Sequence, residues 1–264
     1  MAHKLTARLV YSASTRLNDS GLFFFSMESK VYNADCLEGM KQYPDKWFDL
    51  AVVDPPYGIG VSKMAYLTEN KTTVLQKNGT RIKPRKTIFK KSNWDNSTPE
   101  QHYYNELCRI SKNQIIFGIE YYSWRGVGVG RIKWNKCVPQ NLSFKKYELA
   151  YCSLIENEIE VKILHSGFNR AKSLSEPTSA QKDFRKIPPK IHPTEKPILL
   201  YDWLYINYLP NGGRVIDTHL GSGSNRIAAD KAGNIDFTAF EIDKDYFDAQ
   251  EKRFRDYKAQ GVLF

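Results

Sequence analysis

The stretch GRVIDTHLGSGSNRIAADKAGNIDFTAFEID, residues 213–243, predicts an α/β fold. Its first apolar segment is typical of a buried strand, the glycines that follow form a turn, and a helix continues to Gly233. A second apolar strand then ends at Glu241. A strand, a tight turn, a helix and another strand in this order indicate a parallel sheet covered by helices.

A second stretch, LAVVDPPYGIG at residues 50–60, has the same strand character but a different ending. Its apolar run stops at an acid, two prolines and a tyrosine, which is typical of a buried parallel strand that ends abruptly. Asp54 then lies at the carboxyl end of the strand. Open α/β sheets hold their ligands at that edge.

The alternation of strands and helices continues along the chain. We predict further strands at 30–34, 114–119 and 146–153, and helices at 35–43, 98–110, 196–209 and 244–258. Thr98 is the expected N-cap of the second helix, with Pro99 at its first position. The pattern predicts a Rossmann-like, doubly wound and mostly parallel sheet.

The chain has 264 residues, a formal charge of +10 and a pI of about 9.3. This balance suits a polyanionic partner such as nucleic acid, although a basic pI can also serve solubility alone. The four cysteines show no C-x-x-C spacing, which predicts a reducing, cytoplasmic location and no metal site. No apolar run approaches the roughly 18 residues of a membrane span, so no membrane partner is expected.

Three regions do not fit the alternation. Residues 1–26 match no pattern and are interpreted as a leader before a single domain at 27–264. Residues 59–95 carry nine Lys or Arg against two acids, and residues 154–190 are rich in Ser, Lys and Pro. We predict both to be irregular basic insertions, since long loops in compact domains are usually functional or disordered.

The glycine turn predicts a nucleoside-containing cofactor. Gly221 and Gly223 let a ligand approach the backbone, and Glu241 at the end of the next strand can accept bonds from ribose hydroxyls. A dinucleotide fingerprint would require a third glycine where Arg226 stands, which disfavours NAD. S-adenosylmethionine has no pyrophosphate and needs fewer glycines.

Several motifs together resemble the amino-group DNA methyltransferases, which modify adenine N6 or cytosine N4. These motifs are NADCLEGM at 33–40, DPPY at 54–57, IHPTEKP at 191–197, DTHLGSGS at 217–224 and FEID at 240–243. Because the target-amine motif precedes the cofactor glycines, the order is similar to that of the circularly permuted β class. The resemblance implies a seven-stranded methyltransferase sheet, S-adenosylmethionine as cofactor, and double-stranded DNA as substrate.

The resemblance also implies roles for individual residues. Glu241 would bind the cofactor ribose, Asp35 and Cys36 its adenine, and Thr194 with Lys196 its methionine end. The other implied cofactor residues are Asp54, Asp217, His219, Gly221, Ser222, Gly223, Ser224 and Ile242. Asp35 has a second interpretation, as the N-cap of the helix that follows.

The DPPY motif would supply the chemistry. The amine of adenine is a poor nucleophile, and Asp54 with the Pro55 carbonyl would accept its hydrogens. Pro55 and Pro56 stiffen the turn, and Tyr57 offers a face on which a flipped-out base stacks. Phosphate contacts are predicted for Arg81, Lys83, Arg85, Lys86, Lys90 and Lys91.

The family usually has Pro and Phe where Thr218 and His219 stand. The preferred interpretation is an adenine-N6 DNA methyltransferase, because Asp begins the tetrapeptide. Cytosine-N4 methylation, an RNA substrate, and a DNA-binding protein with a vestigial cofactor site stay open as alternatives. A homodimer and a cognate restriction enzyme are open as partners.

Overall fold

The computed structural model describes residues 15–17, 23–25, 27–69, 74–75, 79, 81–82, 88–140, 145–166, 169–183 and 189–261. The predicted leader at 1–26 therefore lies mostly outside the described residues. Of it, only two short antiparallel strands are described. None of the described helices is long and apolar enough to cross a membrane.

The elements follow one another in this chain order. The strands are β1 Thr15–Leu17, β2 Phe23–Phe25, β3 Ser29–Tyr32, β4 Phe48–Val53, β5 Val74–Leu75, β6 Arg81–Ile82, β7 Ser111–Phe117, β8 Arg131–Asn135, β9 Tyr147–Cys152, β10 Glu158–Lys162, β11 His165–Ser166, β12 Asn169–Arg170, β13 Gly213–Asp217 and β14 Ile235–Phe240. The α-helices are α1 Cys36–Met40, α2 Ala65–Thr68, α3 Gln101–Ile110, α4 Ile198–Tyr208, α5 Ser224–Ala232 and α6 Lys244–Gly261. Val61–Lys63 and Ile119–Tyr121 form single 3₁₀ turns.

The central sheet has eight strands in the order β10-β8-β9-β7-β4-β13-β14-β3. Strand β9 is antiparallel to both of its neighbours, and every other pair is parallel. The late strands β13 and β14 insert between the early strands β4 and β3. This arrangement confirms the predicted mostly parallel, circularly permuted sheet and brings the ends of strands that are distant in sequence to one edge.

The two faces of the sheet are both covered, which confirms the doubly wound class. Leu50 and Val52 pack in a cluster with residues of α4 and α5. Ala51 and Val53 point the other way, into a cluster with residues of α1 and α3. Because a strand alternates its faces, a strand covered on both sides must be apolar throughout. Each fully buried leucine or valine side chain contributes about 1.5–3 kcal/mol.

The sheet extends further than the sequence predicted. The eighth strand, β10, lies inside the region 154–190 that we predicted to be irregular, and β8 was not predicted at all. Strand β10 has the sequence EIEVK, in which only Ile159 and Val161 are apolar. An edge strand with a single neighbour buries few residues, so it can carry charged residues and lacks the apolar run by which the other strands are predicted.

The start of α3 also differs from the prediction. The helix begins at Gln101, after an N-cap at Glu100 that makes no side-chain hydrogen bond. Thr98 as N-cap is therefore wrong: Thr98 and Pro99 precede the helix and have no regular secondary structure. By contrast, Gly233 ends α5 in a left-handed conformation with φ 74°, as its position predicted.

Candidate functional site

A cavity of about 700 Å³ opens at the carboxyl edge of the sheet. The predicted site residues that line it come from segments far apart in sequence: Asp35, Cys36, Asp54, Pro55, Pro56, Tyr57, Thr194, Lys196, His219, Gly221, Ser222, Glu241 and Ile242. Asp217, Gly223 and Ser224 are not part of this lining. The permuted strand order thus brings most of the predicted catalytic and cofactor residues into one cavity.

The glycine turn is held by two acids with different environments. The backbone N–H of Gly221 donates to Glu241 Oε2 at 2.8 Å, and Glu241 Oε1 accepts from the N–H of Asp243 at 2.9 Å. Asp217 lies behind the turn, where it accepts from Asn225 Nδ2 at 2.8 Å and from the N–H of His219 at 3.1 Å. Asp217 therefore holds the turn from the side away from the cavity, while Glu241 lines the cavity.

Burial raises the pKa of Asp217 to about 7, and the charges of Asp54 and Glu241 add to this rise. Between the ordinary value of 3.8 and about 7, the folded chain keeps a proton that the unfolded chain has released. We therefore expect this group to make the free energy of unfolding fall as the pH rises through that window.

Urea denaturation of the wild type and Asp217→Asn at a series of pH values measures this contribution. The difference in free energy, wild type minus variant, should fall from about pH 4 to about pH 7 and then level off. The lowered pKa values of the buried histidines His192 and His219 make the free energy of unfolding rise with pH in both proteins. Subtracting the variant from the wild type removes that contribution. A difference independent of pH would contradict the raised pKa.

The Asp35 side chain caps α1, accepting hydrogen bonds from the N–H groups of Leu37 at 2.8 Å and Glu38 at 3.2 Å. This confirms the N-cap interpretation. His219 Nε2 lies 4.0 Å from Cys36 Sγ, and its ring and that of Tyr103 pack edge to face with centroids 5.5 Å apart. Burial lowers the pKa of His219 to about 4, so the ring is neutral at physiological pH and forms a packed wall of the cavity.

The segment 191–197 lies against both the glycine turn and the closing helix. Arg253 on α6 donates to the carbonyl of Ser222 at 2.8 Å and to Ser224 Oγ at 3.1 Å, and it forms an ion pair with Glu195 at 3.5 Å. Thr194 Oγ1 lies 3.1 Å from His192 Nδ1. Arg253 therefore fixes two cavity walls relative to each other, a role that no sequence motif indicated.

The Asp54 carboxylate is the centre of a compact set of contacts. Tyr57 donates its hydroxyl to Asp54 Oδ1 at 2.6 Å, and Lys196 forms a close ion pair with Asp54 Oδ2. Lys196 also donates to the Tyr57 hydroxyl at 3.1 Å. Burial raises the pKa of Asp54, and the nearby Lys196 charge opposes that rise. Lys196, implied for the cofactor, thus contacts the carboxylate that the DPPY motif predicts for the chemistry.

The loop after Asp54 is organised by a residue that sequence reasoning missed. The buried Asp95 carboxylate accepts from the N–H groups of Tyr57 and Gly58, both at 2.9 Å, and of Val61 at 2.8 Å. Three backbone donors on one carboxylate fix the path of the chain after the two prolines. Asp95 is one of only two acids in the basic region 59–95, and the composition of that region does not indicate this role.

The Tyr57 ring is enclosed on one face. Tyr121 stacks on it with ring centroids 4.8 Å apart, and the glycine at 118, with φ 71°, leaves the space that the Tyr57 ring fills. A Cβ at Gly118 would lie 2.1 Å from that ring. The Pro55 carbonyl accepts from the Tyr122 hydroxyl at 2.7 Å, which occupies one of its two lone pairs.

Two further charged residues at this site are Glu148, in the antiparallel strand β9, and Lys136, directly after β8. Glu148 on β9 forms a close ion pair with Lys136, and its Oε2 lies 3.3 Å from Lys196 Nζ. The positive charges of Lys196 and Lys136 outweigh the effect of burial and lower the pKa of Glu148 to about 2. A glutamate in a strand is usually on a solvent face, so its sequence pattern gave no indication of this position.

The predicted DNA contacts are only partly described. Lys83, Arg85 and Lys86 lie outside the described residues, as does the side chain of Arg81. Lys90 is exposed and pairs with Asp245 at 3.1 Å, and Lys91 is exposed. No group of three or more His, Cys, Asp or Glu residues that could hold a metal ion occurs within the described parts of the chain.

Comparisons with known proteins find similarity over most of the chain, although no family model matches it. The Escherichia coli (strain K12) protein YubD, which carries the name of a methylase, is 24% identical over 229 residues, 85% of this chain and 89% of YubD. A structure of M1.HpyAVI with SAM is 17% identical, covers 86% of this chain and 99% of its own, and has a TM-score of 0.48. The cytosine-N4-specific PvuII DNA methyltransferase is 14% identical, covers 85% of each chain, and has a TM-score of 0.45. The predicted resemblance is thus confirmed: the chain is similar to proteins named as methylases and DNA methyltransferases.

Proposed function

We propose that the chain is an S-adenosylmethionine-dependent DNA methyltransferase that acts on the N6 amine of a flipped-out adenine. One observation carries this proposal: Asp54 and Glu241 line the same cavity, although 187 positions separate them in the sequence. Glu241 suits a ribose, and Asp54 suits an amine. A cavity of about 700 Å³ has room for a nucleoside cofactor beside a base.

The residues of the cofactor end fit S-adenosylmethionine. The Glu241 carboxylate keeps lone pairs for two ribose hydroxyls beyond its two backbone bonds. Neutral His219 and exposed Ile242 supply apolar surface near Asp35 and Cys36 for an adenine ring. S-adenosylmethionine supplies an electrophilic methyl group on a sulfonium. A neutral wall does not repel that cation.

The chemistry at the amine needs acceptors more than it needs a strong base. Asp54 and the free lone pair of the Pro55 carbonyl accept the two amine hydrogens and so direct the nitrogen lone pair towards the methyl group. As the nitrogen–carbon bond forms, the carbon–sulfur bond breaks and one amine proton leaves the nitrogen. Burial raises the pKa of Asp54, which suits this carboxylate to receive that proton.

The choice of adenine rests on the aspartate that begins DPPY. Acceptors for amine hydrogens would suit the N4 amine of cytosine equally well, and one of the similar structures is a cytosine-N4-specific enzyme. Transfer of tritiated methyl from S-adenosylmethionine, assayed in parallel on duplex DNA and on RNA and followed by hydrolysis and chromatography, tests the proposal. N6-methyladenine is the expected product. N4-methylcytosine as the product would show that the target base is cytosine. Label in RNA alone would show that RNA is the substrate, and DNA binding without transfer would indicate a vestigial cofactor site.

We further propose that the basic region 59–95, directly after Tyr57, binds the phosphates that flank the flipped base. Replacing Arg81, Lys83, Arg85 and Lys86 by alanine should weaken binding to all DNA sequences about equally. The slope of log affinity against log salt should become shallower by about 0.9 for each phosphate that the variant no longer binds. Affinity for S-adenosylmethionine should stay the same, since these residues are assigned to DNA only.

A matched control removes four exposed lysines that lie outside the basic region and do not line the cavity: Lys41, Lys112, Lys231 and Lys258. It lowers the net charge by the same amount, so its salt slope should stay close to that of the wild type. If the plots of log affinity for DNA against log salt are parallel for the two quadruple variants and have equal intercepts, the basic region is a solvated loop and other residues bind the DNA.

A further inference from the structure

The strongest unexplained feature of the site is the buried carboxylate of Glu148. Its side chain is 14% exposed, and it reaches the cavity from β9, across from the DPPY loop. Oε1 is paired with Lys136, but Oε2 makes only an ion pair with Lys196 at 3.3 Å, without the geometry of a hydrogen bond. A buried carboxylate oxygen that makes no hydrogen bond can still accept one, and accepting it would offset part of the cost of its burial.

Lys196 is shared between two carboxylates. Its side chain is 3% exposed, and its ammonium contacts Asp54, Glu148 and the Tyr57 hydroxyl, with the Phe117 ring centroid 4.7 Å away. Two acids and two lysines balance in charge, counting Lys136. In a buried site of low effective dielectric, a small movement of the ammonium changes which carboxylate it neutralises.

In the structure, both oxygens of Asp54 are engaged, one by Lys196 and the other by Tyr57. A target amine must compete with these donors for the Asp54 lone pairs. Glu148 Oε2 lies 3.3 Å from the same ammonium and can accept a hydrogen bond from it. A shift of Lys196 towards Glu148 would free Asp54 Oδ2 without leaving the lysine unpaired.

Resting on the proposed function, we propose that Glu148 is a positioning residue that draws Lys196 away from Asp54 when the target amine enters. It touches neither the amine nor the cofactor in this role. Its effect should therefore fall on the methyl-transfer step rather than on cofactor binding.

The test compares Glu148→Gln, Glu148→Asp and the charge-balanced double variant Glu148→Gln with Lys136→Met. The double variant removes one buried charge of each sign, so it keeps the proposal testable if the single glutamine variant fails to fold. Glu160→Gln is the matched control, because Glu160 lies on the neighbouring part of the sheet, is exposed and pairs with Lys133 and Lys162. Duplex DNA from a host that lacks this protein is the substrate.

Both glutamine variants should lose about tenfold or more in kcat while KM for S-adenosylmethionine stays within about twofold, and the aspartate variant should keep more activity than either. The inference is overturned by a wild-type kcat in the glutamine variants, by an equal loss in the aspartate variant, or by a parallel loss of cofactor affinity. If the wild type itself transfers no methyl group to DNA, the proposed function fails and takes this inference with it.

Discussion

Replacing Asp54 by alanine is expected to reduce methyl transfer to less than about 1% of the wild-type rate, the scale seen when a group that stabilises the transition state is removed. The amine hydrogens become acidic only as the nitrogen attacks, so the acceptor matters more in the transition state than in the ground state. The Pro55 carbonyl alone cannot replace it, since Tyr122 already occupies one of its lone pairs.

The variant should keep its fold and its cofactor site. Without Asp54, the buried Lys196 still faces Glu148 and the Tyr57 hydroxyl. S-adenosylmethionine affinity should therefore stay within about tenfold, or about 1.4 kcal/mol. Single-turnover transfer of labelled methyl measures the first effect and calorimetry the second. Asp45→Ala is the matched control, because Asp45 is exposed and pairs with Arg109. More than a few per cent of activity in Asp54→Ala would remove this carboxylate from the chemistry.

The sequence allowed the prediction of most of the sheet and of the residues at its carboxyl edge. Strands buried on both faces must be apolar throughout, so β4 and β13 stand out as short apolar runs. Residues that follow such strands in a parallel sheet face one edge, whichever order the chain visits them in. Asp54 and Glu241 could therefore be assigned to one site before any geometry was known.

The residues that hold this site together were not predictable in the same way. Asp95 is 1% exposed, yet it lies in a basic region whose composition indicates a solvated loop. Glu148 lies on an antiparallel strand, and the two lysines that pair with its carboxylate, Lys136 and Lys196, come from two other segments. Arg226, in the position of a third glycine, bonds Ser29 and Glu251 instead. Each role depends on contacts between distant segments, which neither periodicity nor a local motif encodes.

The second large effect is expected at the other end of the cavity, where Glu241→Ala should weaken S-adenosylmethionine binding by about 1.5–3 kcal/mol. That is the scale for losing hydrogen bonds to a charged group. Glu241→Gln should give a smaller loss, since its amide oxygen can still accept from Gly221 or from a hydroxyl. Glu38→Ala is the matched control, because Glu38 is exposed on α1 and pairs with Lys41.

Two contributions to the Glu241→Ala loss can be separated. Glu241 also holds the glycine turn through the N–H of Gly221, so part of the effect could come from a loosened turn. Measuring adenosine and 2′,3′-dideoxyadenosine against both proteins distinguishes the two. If Glu241 binds the ribose, the wild type should prefer adenosine and the alanine variant should not. If the loss came only from the turn, both proteins would prefer adenosine to the same degree. Unchanged affinity for S-adenosylmethionine in Glu241→Ala would mean that the ribose lies elsewhere in the cavity.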